Sequence, residues 1–406
     1  MPDHSNPPTL SLKSLAVIWS LGFRPLFLGG TLWSVVMIAL WSLHYAGWLR
    51  MLPANRNPIN WHAHEMLFGF VSAIIAGFIL TASQNWTGKR GVHGLRLQFL
   101  VAIWLSARLA SIIPGVPYEL YAALDILFWP VLLALLWPYL GVRTQRRNQA
   151  FFIFFMLMFA AALLSHADEW SLLKYILPDT HQAFAPYGHR LAIDTILLII
   201  ALIGGRIIPL FTRNAIADAQ PVSYVWLDRA AFLVLAIWLV LDVLQPYSRW
   251  TAIAAAVVTG VHALRFSGWQ FWKTVRKPIV LVLHCGYAWL LIGWALKALQ
   301  PISALHAPLA THALTAGGMG VMIYAMITRV SLGHTARPIQ ADSAILAGYV
   351  LINVAVILRV LAPMISMQNY NLLVGISGVV WSIAFVLFLW RYSGKLISPR
   401  LDGKPG

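Results

Sequence analysis

The run Ala192-Ile-Asp-Thr-Ile-Leu-Leu-Ile-Ile-Ala-Leu-Ile-Gly-Gly-Arg-Ile-Ile-Pro-Leu-Phe211 decides the class of this fold. Of its 20 residues only Asp194, Thr195 and Arg206 are polar. A helix of that length covers about 30 Å, the thickness of a bilayer's hydrocarbon core. Working outward, apolar runs between polar breaks give twelve candidate spans, near 22–48, 60–84, 94–113, 117–140, 148–170, 187–211, 225–245, 249–269, 278–299, 303–330, 341–363 and 369–392. The stretch from Leu10 to Leu21 is expected at the interface, and the one longer loop runs from Ser171 to Pro186. Only 10% of residues are charged and 60% are hydrophobic, with a mean hydropathy of +0.73. A soluble chain carries about a quarter charged residues, so an ordinary soluble enzyme, a disordered chain and a peripheral amphipathic module are all excluded. Nineteen Trp, nineteen Phe and thirteen Tyr suit aromatic belts at two membrane surfaces. The expectation is an all-α polytopic integral membrane protein of about 12 transmembrane helices, with residues 1–406 forming one transmembrane domain.

The formal charge of +16 invites a nucleic-acid partner, but the basic residues sit singly or in small groups between apolar runs, as topology signals do. Eighteen Lys and Arg fall in one set of alternate loops and six in the other. Arg24, Arg108, Arg206, Arg329 and Arg359 lie in or at the edge of spans. The positive-inside rule then makes both termini cytoplasmic. Cys285 is the sole cysteine, which excludes an internal disulfide, a thiolate iron–sulfur cluster and a covalent CxxCH haem site. No clean signal-peptide pattern opens the chain, so the start is read as mature sequence.

Ionisable residues inside spans are costly and mark function by default. Here the class is histidine: His62, His64, His166, His189, His262, His284, His312 and His334 lie in or at the ends of spans. For His189 and His262 an interfacial hydrogen bond is the bland expectation. His4, His44, His93, His181 and His306 are terminal, interfacial or loop-borne. In Trp61-His-Ala-His-Glu65, residues two apart differ by about 200° of helical rotation. His62 and His64 therefore face apart and cannot chelate one metal. Glu65 shares the face of His62 and is a candidate orienting acceptor and proton carrier.

His64, His189 and His312 recur at near-equal spacing on the second, sixth and tenth spans. Three arcs of four helices would bring those spans to a common axis, the general plan of haem–copper oxidase core subunits. His64 with His312 is the expected ligand pair.

Taken together, Phe23-Arg-Pro-Leu-Phe27, Trp61-His-Ala-His-Glu-Met-Leu-Phe-Gly-Phe70, Ala76-Gly-Phe-Ile-Leu-Thr81, Asn85-Trp-Thr-Gly88, Gly204-Gly-Arg-Ile-Ile-Pro209, Phe211-Thr-Arg-Asn214, Trp226-Leu-Asp228, His284-Cys-Gly-Tyr-Ala-Trp289, His312-Ala-Leu-Thr315 and Thr328-Arg-Val-Ser-Leu-Gly-His-Thr335 resemble the NnrS family from about residue 20 to 393. The last motif continues Ala336-Arg337 where the family typically has Gly-Arg. The resemblance implies a haem- and copper-containing bacterial inner-membrane protein of nitric oxide metabolism, denitrification and nitrosative stress. Its motifs cover His62, His64, His284, His312 and His334; His166 joins as a further candidate ligand, and His189 enters through the spacing.

Imidazole suits iron and copper, and a non-covalent haem of b type is the natural cofactor in the absence of a covalent motif. Its propionates need cations, for which Arg24, Arg206 and Arg329 are the candidates. Gly204, Gly205, Gly317, Gly318 and Gly320 would let a macrocycle approach, or let helices pack. The expected activity is redox conversion of nitric oxide fed by an electron donor of unstated identity, in contact with membrane lipids. A twelve-helix secondary transporter and a non-catalytic haem or copper sensor are the competing functions.

Overall fold

The structure, a computed structural model, describes residues 16–49, 57–170, 183–303, 307–366 and 368–404. His4, His181, His306, most of the Ser171–Pro186 loop and the first part of the Leu10–Leu21 stretch lie outside the described residues. Twelve helical rods account for nearly all the rest: α1 (Phe23–Tyr45), α2 (Pro58–Thr87), α3 (Gly94–Ile112), α4 (Tyr118–Leu140), α5 (Ala150–His166), α6 (Ala185–Ala215), α7 (Val225–Leu244), α8 (Arg249–Ser267), α9 (Pro278–Leu299), α10 (Pro308–His334), α11 (Ser343–Ile365) and α12 (Tyr370–Ile397). No strand occurs among the described residues. Every rod falls on its expected span, with ends shifted by a few residues.

Among the described residues, nine rods are long and apolar enough to cross a membrane. The others depart for readable reasons. α5 has 17 residues, α7 carries Asp228, Arg229 and Asp242, and α8 carries Thr251, Thr259, His262 and Arg265. Asp228, Asp242 and Arg265 are tied to neighbours, because an unpaired charge at membrane depth is costly. Lys297 of α9 holds Asp242 at 2.9 Å, and Arg265 of α8 holds Asp228 at 2.7 Å while donating to the Ala201 carbonyl of α6. Gly205 exists for this contact. A Cβ there would run into the Arg265 guanidinium, so Gly205 serves helix packing rather than a macrocycle. Gly317 and Gly318 likewise make room for Trp289 and Leu290 of α9.

Successive rods pack on one another, and α12 returns against α1 to close the circuit. Inside it stand three rods. Buried residues make up 78% of the apolar window of α2, 61% of that of α6 and 83% of that of α10, against 56% for α9 and 33–44% for α1, α3, α4, α11 and α12. The second, sixth and tenth helices thus form the interior, as the spacing of His64, His189 and His312 anticipated. The site lies where these three meet.

Candidate functional site

α2 begins with a sequence-encoded cap: Asn57 accepts hydrogen bonds from the backbone N–H groups of Ile59 (2.9 Å) and Asn60 (3.3 Å), with Pro58 in the first turn. Regular α-helix ends at His64. Glu65–Val71 then winds as a wider π-helix before α geometry resumes at Ser72. The Ser72 hydroxyl donates to the carbonyl of Leu67, five residues back, at 2.8 Å. α10 repeats the device: His312 closes an α-helical turn and Ala313–Val321 is π-helical. Such insertions cost regular hydrogen bonding and concentrate at functional sites. In both rods the histidine stands immediately before the widened turn.

His62 and His64 face apart, as their spacing requires. His64 is buried and enters a polar cluster between α2, α4 and α5. Its Nε2 lies 3.1 Å from Asp125 Oδ2, and its Nδ1 lies 3.0 Å from the Ser165 hydroxyl. His166 Nε2 approaches the same Asp125 oxygen at 3.2 Å, and its Nδ1 meets the Tyr118 hydroxyl at 2.8 Å. One ligand atom from each of His64, Asp125 and His166 lies within 4.8 Å of the other two. The His189 ring, from α6, is centred 6.4 Å from that of His64, and its buried Nε2 has no partner among the described residues.

Behind this triad runs an ionic network. Arg108 of α3 bridges Asp125 and Glu65, donating to Glu65 Oε2 at 2.8 Å. Trp33 Nε1 donates to the same oxygen at 2.9 Å, and the Tyr121 hydroxyl donates to Oε1 at 2.8 Å. Gly69, inside the π-helical turn, makes the network possible: a Cβ there would stand 2.6 Å from Trp33 Nε1 and 3.0 Å from Arg108 Nη1.

The opposite face of α2 borders a cavity of about 360 Å³ between α1, α2, α10, α11 and α12. Most of its wall is apolar. The exceptions that bear on chemistry are His62, His312 and Arg359. The His62 ring stacks on Trp41 with centroids 4.5 Å apart, and its Nδ1 is buried without a partner among the described residues. His312 Nδ1 pairs with the Pro308 carbonyl at 2.8 Å, one turn back. An imidazole whose Nδ1–H is donated to a backbone carbonyl keeps the Nε2 lone pair for a ligand. Arg359 approaches the Tyr370 ring at 5.8 Å and has no carboxylate partner among the described residues.

The chain matches the family model described as NnrS protein over residues 17–400, nearly its whole length. It belongs to the NnrS family. The comparison with curated proteins finds no match. Membership makes this chain a membrane protein of the nitric oxide response, from a metal-binding family.

Against the expectations for an NnrS chain, the structure regroups the ligands. His64 pairs with His166 and Asp125, with His189 beside them, whereas His312 shares its cavity with His62. The expected His64–His312 pair is thus split between the two faces of α2. Glu65 does not orient His62; both its oxygens are engaged by Tyr121, Trp33 and Arg108. The arginines proposed for propionates lie elsewhere. Arg24 donates to the carbonyls of Leu396 and Ser398, Arg206 to Asn148 and the Arg147 carbonyl, and Arg329 stacks 3.8 Å over Phe211. None of the three lines the cavity, and Arg359 does.

His284 pairs with the Val280 carbonyl and packs beside Phe266 on α8, away from both groups. His334, at the far end of α10, packs on Phe23, and its carbonyl accepts from Arg400. His262 has both nitrogens satisfied, by Tyr287 and the Ala231 carbonyl, and is structural. Sequence reasoning missed Asp125, Arg108, Tyr121 and Arg359 as site residues. Asp125 carried a usable signal, since it is a carboxylate amid the apolar run of α4.

Proposed function

We propose that this chain is a haem- and copper-binding inner-membrane protein that converts nitric oxide, by reduction, at paired metal centres on the two faces of α2. The observation that carries the reading is His62 and His312 on one cavity with an unpaired arginine, Arg359. Its 360 Å³ falls in the range of cofactor sites, about 300–1,000 Å³. A non-covalent b-type haem bound there would supply a redox-active iron with affinity for diatomic nitrogen oxides. The chain's own residues prepare its seat. Pro308 sets the tautomer of His312, Trp41 holds the plane of His62, and Arg359 offers a bidentate fork to a carboxylate.

On the other face His64, His166 and Asp125 offer two imidazoles and a carboxylate, with His189 adjacent. This donor set suits copper and also non-haem iron, so metal analysis is part of the test. Arg108 holds Asp125 through the oxygen that the histidines do not use. Glu65 is the proposed proton carrier: Tyr121 donates to its Oε1, and Arg108 links its Oε2 to Asp125 beside the metal donors. His62 and His64 are offset by about 3 Å along the helix axis, which keeps the two centres adjacent. Reduction would require an external electron donor. The side rich in Lys and Arg is assigned to the cytoplasm, so reporter fusions after Arg147 and Lys277 should read as cytoplasmic; a periplasmic readout would reverse the orientation.

The decisive experiment is purification after haem-replete expression, followed by optical spectroscopy, metal analysis and nitric oxide turnover with a chemical reductant. A Soret band with one further bound metal is expected. Absence of the Soret band overturns the reading in favour of a transporter with buried histidines.

A further inference from the structure

A second cavity, of about 60 Å³, lies directly beyond the first along the same three interior helices. On α2 the large cavity is lined up to Phe70 and Val71, and the small one continues from Val71 through Ile74 to Phe78. On α6 the change falls between Ile193 and Ile196, and on α10 between Gly320 and Met322. Val71 belongs to both walls. The small cavity sits near the midpoint of each rod, and hence near the bilayer midplane, where apolar gases concentrate.

Its lining is made wholly of Ile, Val, Phe, Met and Gly residues. One water-sized guest needs about 10–15 Å³ of such space, so there is room for a small molecule. Water, however, would find no side-chain partner and would lose its hydrogen bonds. Apolar voids of this kind stay dry and take up apolar guests such as xenon. On one edge the lining residues Ile75, Phe78, Ile203 and Ile207 are only half-buried, whereas Val71, Ile200 and Met322 at the inner wall are buried.

We propose that the small cavity is a binding site and passage for uncharged, weakly polar gas molecules of diatomic size, which enter at the half-buried edge formed by Ile75, Phe78, Ile203 and Ile207 and reach the large cavity past Val71. The binding half stands on the cavity itself; the passage half rests on the cofactor reading above. The two are separable by experiment. Met322 and Met326 line the small cavity, whereas Met66 and Met319 line the large one.

Xenon titration of the purified full chain carrying methyl-labelled methionine should shift the Met322 and Met326 signals in NMR. No shift at these two, or shifts confined to Met66 and Met319, overturns the proposal. Ile200→Phe should fill the void and abolish the shift. Gly204→Ala is the milder variant, since its Cβ would meet its nearest neighbour at an ordinary 3.5 Å, and should weaken it. A shift of unchanged size in both variants also overturns the proposal. In haem-loaded protein, Ile200→Phe should slow nitric oxide association several-fold with an unaltered Soret band. An unchanged association rate removes the passage while leaving the xenon site. Protein without haem that still takes up xenon defeats only the cofactor reading.

Discussion

The two faces of α2 differ in how far their polar atoms are satisfied. Around His64, both ring nitrogens and the oxygens of Asp125 and Glu65 have partners within hydrogen-bond reach. Around His62, its own buried Nδ1 has no partner among the described residues, and His312, whose Nδ1 pairs with the Pro308 carbonyl, lines the same cavity. A cluster whose carboxylates and paired imidazoles are partnered can be buried without any guest, although Arg108 Nε and His189 Nε2 beside it have no partner among the described residues. The buried Nδ1 of His62 costs on the order of 1–3 kcal/mol when left without a partner, a cost that a polar guest in the cavity would relieve. The comparison therefore separates a network that also stabilises the bundle from a seat that exists for a bound molecule.

The largest effect should come from cutting the network. Arg108→Leu strands Glu65 and Asp125, and removing one partner of a buried pair costs on the order of 3–5 kcal/mol. We expect a steep loss of thermal stability in detergent. A melting temperature equal to wild type would show that the network does not hold α2, α3 and α4 together, and would erase the contrast.

Next come the ligands. His312→Ala and His62→Ala should abolish the Soret band while the second metal stays. His64→Ala and His166→Ala should remove that metal while the haem stays. The same loss pattern from all four variants would mean one shared centre, contrary to the opposed faces of the helix. Haem replaced by metal loss at His62 would exchange the roles of the faces.

Arg359→Leu is expected to lower haem occupancy or shift its redox potential, with Arg359→Lys giving partial rescue because Lys lacks the planar fork. Arg206→Leu should leave both unchanged, since Arg206 serves Asn148 and the Arg147 carbonyl. A redox titration in which Arg206, and not Arg359, moves the potential would relocate the propionate site.

The smallest effect tests the packing behind the network. Gly69→Ala should cost about 1–3 kcal/mol through overpacking against Trp33 and Arg108, with metal content retained. A fully neutral substitution, read by thermal denaturation, would mean that Trp33 can withdraw from Glu65 freely.

The sequence by itself determined the class and the approximate places of the twelve rods, because a membrane span must be long, apolar and helical to satisfy its own backbone. It also determined that His62 and His64 face apart, since rotation per residue is a local property of a helix. Spacing even singled out the second, sixth and tenth rods as interior. What only the tertiary structure decided was partnership. Asp125 and Arg108 come to His64 from α4 and α3, and Arg359 comes to His62 from α11; side-chain reach across helices depends on rotation and depth that no single span encodes. The π-helical turns at Glu65–Val71 and Ala313–Val321 are likewise invisible in the pattern of apolar residues, and near-equal spacing along the chain paired His64 with His312 because it says nothing of which face of α2 each one meets.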